Sequence, residues 1–371
     1  MYIVIDDIGY GWIDTFGGMI RTPNITKLGE NGLRYTNFTT TALCSPTRSC
    51  LLTGRNHHSV GMANIPELAS GFPGYNGRQP QNKAGIAAML HGHGYTSFCM
   101  GKWHNTPSEE TGISGPYDRW PTGSVFGFDR FYGFLGGDSD QWYPKLFLDR
   151  EAIDQPRLPE EGYHLSEDLA ERTMSWLAQH KSLAPSKPWL AYLAFGAMHA
   201  PHHIWSEWAD RYKGQFDIGW DAYREQTLAR QKEMGILPES AELSPMLEGT
   251  QRWDDLSPDE KRLFARMAEI YAGYMEPARA KGRSTAYSTS SRCRSSRVIR
   301  PRRSSATSRA STSSACPART TTIRRAGRSP ATRRSSSVSS TRIGAARGTR
   351  SSSIGPRASR PRASCGTSTT T

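Results

Sequence analysis

The chain has 371 residues and a formal net charge of +13, a length that admits two or three domains. The charge is uneven: residues 277–371 hold 21 Arg, one Lys and no Asp or Glu, so this stretch carries +22 and residues 1–276 carry −9. The basic balance therefore does not mark residues 1–276 as a polyanion-binding module, and no apolar run in the chain approaches the length of a membrane-spanning helix.

In chain order, residues 2–5 read as a buried strand, with Asp6 and Asp7 at its carboxyl end, where open α/β sheets place ligands. A turn follows at Gly9 to Gly11. Residues 23–35 predict a helix and then a short strand over 32–35. Residues 46–55 predict a helix with Pro46 in its first turn. Residues 86–90 predict a helix ending near Gly92 to Gly94, and 95–100 a strand running into Gly101-Lys102-Trp103-His104. Residues 105–160 read as loop-rich. Residues 167–180 have helical spacing with Ser166 as the cap. Residues 189–195 form an apolar strand, and His199-Ala200-Pro201-His202 follows closely. The last element is a helix from Ser257, with Glu260 completing a capping box and Pro258 in the first helical position. Its apolar spacing stops at Pro277. Alternating strands and helices argue for an α/β layered domain over residues 1–276.

Residues 277–371 contain 24 Ser, no Leu and one aromatic residue, Tyr287. Such a segment cannot bury enough apolar surface to offset the entropy of ordering, so a disordered tail is expected. Of six Cys, three (Cys293, Cys316, Cys365) fall in the tail. The others, Cys44, Cys50 and Cys99, lack the spacing of a disulfide framework, which suits a reducing compartment. The first residues do not read as a signal peptide, so the chain as written is expected in the cytoplasm.

Several residues carry chemistry. Cys44-Ser45-Pro46-Thr47-Arg48 forms the pattern C-x-P-x-R. In a helical first turn Cys44 and Arg48 share a face, and the helix N-terminus offers free N–H groups to an anion. Arg48 adds a planar, permanently charged fork suited to tetrahedral oxyanions. For the pentapeptide alone, a small buried Cys beside a surface Arg is the ordinary alternative. Asp6 and Asp7 offer hard oxygen ligands of the kind calcium and magnesium take, although an isolated Asp pair more often serves a turn or cap. Lys102 and His104 project to one side of an extended backbone. His202 and His203 read as rim or surface residues, and the H-x-x-H spacing from His199 to His202 lacks further zinc ligands. Gly133 to Asp138, with Asp140 to Tyr143, reads equally as an aromatic pocket lining or as a loop packed on itself. The acceptor patterns at Asn24 and Asn37 are read as chance.

The run from Cys44 through Thr53-Gly54-Arg55, with Asp6-Asp7 before it and Gly101 to His104 and His199 after it, resembles the type I sulfatases of the alkaline-phosphatase-like fold. Stretches at 118–121, 131–134 and 208–212 are similar to bacterial arylsulfatases with long inserts. Thr47 stands where the commonest family form has Ser. The resemblance covers about residues 1–276 and implies an incomplete sandwich, a central mixed sheet flanked by helices, and a set of roles. A formylglycine-generating or equivalent maturation enzyme would convert Cys44 to an aldehyde. In the hydrate of that aldehyde, one hydroxyl attacks sulfur and the other loses a proton to expel sulfate. Asp6, Asp7 and the modified Cys44 would hold Ca2+ (or Mg2+), a Lewis acid and template. Arg48, Lys102 and His104 would bind sulfate oxygens, and His199 would protonate the leaving oxygen of a small-molecule sulfate ester. A phosphonate or phosphate ester hydrolase of the same superfamily is the neighbouring alternative. A third reading, nucleic-acid binding by the Arg/Ser tail, is disfavoured, because the tail lacks aromatic interleaving and residues 1–276 compete for it. No nucleic-acid or membrane partner is expected.

The resemblance ends at Glu276. Family members continue that helix and later supply an Asp-Asn pair and a Lys, and no Asp, Asn or matching Lys follows here. A reading-frame shift in a GC-rich gene is expected, with a late start ahead of Tyr2. The chain as written is accordingly expected to be inactive and incompletely folded. Translating the underlying DNA in the other two frames after codon 276 is expected to restore a helix and then an Asp-Asn pair; if neither frame does so, the frameshift is wrong.

Overall fold

The computed structural model describes residues 1–275. The expected tail, and the domain boundary after residue 276, lie outside the described residues. Six strands form one mixed sheet among the described residues: β1 (Tyr2–Val4), β2 (Thr96–Lys102), β3 (Arg130–Phe134), β4 (Leu146–Leu148), β5 (Glu151–Ile153) and β6 (Trp189–Ala194). Their order is β1-β6-β2-β3-β4-β5. The first four in that order run parallel, while β4 and β5 add an antiparallel meander. The helices are α1 (Pro23–Glu30), α2 (Cys44–Thr53), α3 (Ile86–His91), α4 (Leu165–Leu183), α5 (Ser206–Ala209), α6 (Gly219–Glu233) and α7 (Pro258–Tyr274).

Side chains alternate across a strand, and here both faces are covered. Phe98, Met100, Tyr132, Ala191 and Leu193 pack on one face with Leu165, Leu169 and Trp176 of α4. Cys99, Phe131, Leu190, Tyr192 and Ala194 pack on the other with Leu52 of α2 and Ala87 of α3. Parallel strands buried on both faces read as continuous apolar runs, which is why β6 was plain in the sequence. Gly101 lets β2 lie close to β6. It adopts φ +93°, and a Cβ there would sit 1.9 Å from the Ala194 carbonyl oxygen.

The structure departs from expectation in five places. β1 stands at the sheet edge, so Tyr2 and Ile3 are exposed rather than buried. Residues 32–35 form no strand, and Leu33 is exposed, because they have no neighbour to pair with. The stretch 105–160, read as loop-rich, contains β3, β4 and β5, with β3 inside the sheet. The cap of α4 is His164 rather than Ser166. Finally, α6 showed no apolar period because its buried side chains are mostly polar. Tyr223, Gln231 and Arg230 donate to the carbonyls of Gly11, Phe16 and Gly17, at 3.1, 3.0 and 2.6 Å. By contrast, the capping box of α7 is present, with the Ser257 amide donating to Glu260 at 2.8 Å. Among the described residues no helix is long and apolar enough to cross a membrane.

His164 ties α4 to the segment after β6. Its Nδ1 accepts from the Ser166 amide at 3.2 Å, so Nε2 carries the proton and donates to the His203 carbonyl at 3.0 Å. Burial pushes its pKa down to about 4 from 6.5. The folded chain therefore holds it neutral while the unfolded chain takes up a proton first. Its contribution is fully present above pH 6.5 and is lost as pH falls towards 4, by about 3 kcal/mol at most. Urea midpoints at pH 7.5 and 4.5 are expected to fall further for the wild type than for His164→Asn. Equal falls would show that His164 does not link folding to protons.

Candidate active site

Two stretches of backbone pairing beyond the strands assemble the site. After β1, the Asp6 amide donates to the Ala197 carbonyl at 2.9 Å, and the Met198 amide donates to the Asp6 carbonyl at 2.8 Å. This sets Asp6 and Asp7 beside His199. After β2, the amides of Trp103 and His104 donate to the carbonyls of Phe134 and Leu135, at 3.0 and 3.1 Å. Lys102 and His104 are thereby fixed next to the segment following β3. All of these groups lie at the carboxyl ends of parallel strands.

Helix α2 brings in the remainder. It begins at Cys44 and ends at Gly54, which takes the left-handed conformation that closes many helices. Ser49 donates to Asn105 at 2.7 Å, and Asn105 donates to the Trp103 carbonyl at 3.0 Å, which pins the first turns of α2 to the segment after β2. Cys44 Sγ lies 3.2 Å from His104 Nδ1. Burial pushes the Cys44 thiol up, but the hydrogen bond and charge of His104, aided by Lys102, outweigh it and hold the thiol below its usual value.

Three charges are buried together. Asp6, Arg48 and Lys102 are 5, 2 and 0% exposed. Lys102 Nζ donates to Asp6 Oδ2. Arg48 Nη2 is 3.5 Å from Asp6 Oδ1, an ion pair without a well-formed hydrogen bond. Arg48 Nη1 donates to the Lys102 carbonyl at 3.0 Å and to Tyr192 Oη at 3.3 Å. Among the described residues, its Nε and Nη2 have no hydrogen-bond acceptor. Burial pushes the Asp6 carboxyl up, while Arg48 and Lys102 more than offset this and hold it below the usual carboxylate range. Asp7 and His104 both have positive φ, 47° and 56°, a costly conformation for residues with a Cβ and one that gathers at functional sites. His199 Nε2 is 3.8 Å from Asp7 Oδ2, at the rim.

A sulfatase family model matches residues 1–292. The chain belongs to the sulfatase family. An uncharacterized sulfatase of Schizosaccharomyces pombe is 32% identical over 299 residues, covering 74% of this sulfatase chain and 51% of its own length. An arylsulfatase of Klebsiella aerogenes is 31% identical over 286 residues, covering 73% and 57%. The Bacteroides fragilis protein yidJ shares the fold, with a TM-score of 0.52 at 15% identity over 75% of this chain and 55% of that one. The chain thus spans about half the length of the curated relatives it matches.

Of the residues singled out in the sequence, the sulfatase chain brings Cys44, Arg48, Lys102, His104 and Asp6 into one buried cluster, with Asp7 and His199 at its edge. Gly137, from the stretch expected to line a pocket, lies against the His104 ring, and Asp140 pairs with His203 at 3.3 Å. Sequence reasoning missed Glu67, whose Oε2 is 2.9 Å from His104 Nε2, and Tyr192, the partner of Arg48. No pattern pointed to Glu67. Tyr192 was visible only as one of the apolar residues of β6.

The resemblance implies a divalent cation, and the donors here fit one only in part. Such an ion takes about six to eight oxygens. Asp6 already accepts from Lys102, the Asp7 side chain is exposed, and among the described residues no group of three His, Cys, Asp or Glu forms a metal cluster. No step below is routed through a metal.

Removing one partner of a buried pair strands the other. Lys102→Met is expected to cost about 3 kcal/mol of unfolding free energy, and adding Asp6→Asn to recover part of that loss. Urea denaturation of the two singles and the double checks this. Additive losses would mean that the pair does not act as a unit.

Proposed function

We propose that this site hydrolyses sulfate monoesters of small molecules through a formylglycine made from Cys44 by a maturation enzyme. One observation carries the reading: position 44 opens a helix within hydrogen-bond reach of His104, beside two buried cations, Lys102 and an Arg48 whose Nε and Nη2 lack acceptors among the described residues and suit a tetrahedral oxyanion. The hydrated aldehyde would supply one hydroxyl to attack sulfur and a second whose loss of a proton expels sulfate. Arg48 directs Nε and Nη2 at the sulfate oxygens, and Lys102 adds a point charge beside them. His104, through the Nδ1 that faces position 44, takes the hydroxyl proton. His199, part-exposed at the rim, gives a proton to the leaving oxygen.

Asp6 and Asp7 would be this chain's share of a calcium or magnesium shell, with an oxygen at position 44. The ion would neutralise charge on the sulfate. Because these residues supply only part of a shell, turnover by the chain itself is expected to be slow. The phosphate and phosphonate ester alternative stays within reach of the same geometry, since both substrates are tetrahedral oxyanions.

The test is to coexpress the chain with a formylglycine-generating enzyme, probe the aldehyde with a hydrazide, and assay matched aryl sulfate and aryl phosphate with calcium present. Labelling at position 44 is expected, with sulfate turnover above phosphate turnover and at background in Cys44→Ala. Turnover indifferent to Cys44→Ala, or a position 44 that takes no label, would overturn the reading, whereas labelling without turnover would match a chain that is inactive as written. Preference for the phosphate would replace it with the alternative.

A further inference from the structure

The His104 ring is held on both of its nitrogens. Nδ1 faces Cys44 Sγ at 3.2 Å, and Nε2 faces Glu67 Oε2 at 2.9 Å. Glu67 lies in a single turn of 3₁₀ helix, Pro66–Leu68, remote in sequence from both partners. A carboxylate only accepts, so Nε2 carries the proton on this side, and in the neutral ring the Nδ1 lone pair is then directed at position 44. The ring cannot swing freely. A Cβ on Gly137 would lie 2.8 Å from His104 Cε1 and 2.9 Å from Nε2, so the Gly137 backbone already walls that edge. His104 is 3% exposed, whereas the Glu67 side chain is 45% exposed, so the carboxylate reaches the buried ring from the solvent side.

We propose that Glu67 is a positioning residue that fixes the proton and the orientation of the His104 imidazole, so that its free lone pair meets the group at position 44. The arrangement of nucleophile, imidazole and orienting carboxylate is the logic of a hydrolytic triad, reached here by residues from α2, the segment after β2 and a surface turn. It rests on the proposed hydrolysis for its purpose, but not for its geometry. Glu67 touches no reacting atom and acts only through His104. An ordinary surface ion pair, the alternative for an exposed carboxylate beside a histidine, would leave the ring's proton unchanged when Glu67 is removed.

Glu67→Leu and Glu67→Gln in the full chain, with ¹⁵N-labelled histidine, provide the test. In the wild type the His104 Nε2–H is expected as a downfield proton signal protected from exchange with water. Glu67→Leu should lose that signal, and Glu67→Gln, whose side-chain carbonyl still accepts, should keep it. In the converted enzyme Glu67→Leu should lower kcat about tenfold or more with KM changed less than about threefold, and Glu67→Gln should restore most of the rate. An Nε2–H signal indifferent to Glu67→Leu would overturn the inference whatever the turnover. A Glu67-dependent signal in a chain without any turnover tied to Cys44 would support this contact while removing the hydrolytic reading it serves.

Discussion

The burial of Asp6 with Lys102 and Arg48 is the constraint on which the site depends. Each ion costs several kcal/mol to take out of water, and mutual attraction repays this only when the geometry is good and the remaining donors are satisfied. Here it is repaid in part. Asp6 answers Lys102 with a hydrogen bond and Arg48 with a looser contact at 3.5 Å, while Arg48 keeps two nitrogens without an acceptor among the described residues. One carboxylate against two permanent or near-permanent cations leaves a buried excess of positive charge. On the proposed reading, a tetrahedral oxyanion arriving over α2 would remove that excess and satisfy the fork, so binding and relief of the unmet donors would be one event.

The sheet makes this arrangement affordable in backbone terms. The parallel strands β1, β6, β2 and β3 end side by side, and the pairing continues one or two residues past each end. Residues in those extensions can be held in conformations that isolated chains avoid. Asp7 and His104, both at positive φ, sit there. The left-handed turn at His104 aims its ring back at α2, while Ser49 and Asn105 prevent α2 from drifting away from it. Strain at two residues is thus maintained by hydrogen bonds belonging to their neighbours.

Sequence singled out the residues that the structure gathers around Cys44, gave the α/β class, and missed several individual elements, for a physical reason. Asp6, Cys44, Arg48, Lys102 and His104 lie in short runs whose residue types and spacing are chemically unusual. The strand ends and the helix start that carry them also have plain signals, the apolar runs of β2 and β6 and Pro46. What stayed hidden depends on tertiary partners. β3 is rich in aromatics and glycine and is bordered by turns, so 130–134 resembled a self-packed loop until β2 was beside it. The buried face of α6 is polar because it bonds to the carbonyls of 11, 16 and 17, and apolar periodicity cannot register that. β1 looked like an interior strand because its composition says nothing of how many neighbours it has. Glu67 was invisible for the same reason: a half-exposed glutamate acquires meaning only from the imidazole it meets.

The same contacts bear on why an unmodified cysteine would serve this site poorly. His104 and Lys102 hold the Cys44 thiol below its usual value, which favours the thiolate. A thiolate at the start of α2 takes for itself the N–H groups and the cationic surroundings that would otherwise face the ester. It would also present a negative charge to an incoming sulfate ester, itself an anion. On the proposed reading, replacing sulfur with a neutral hydrated aldehyde removes this internal competitor and leaves the positive charge of Arg48 and Lys102 for the substrate. His104 Nδ1, which would donate to a thiolate, then accepts from a neutral hydroxyl instead. On that reading the chemistry at position 44 and the electrostatics of its surroundings are one design problem, and the modification would answer both halves of it.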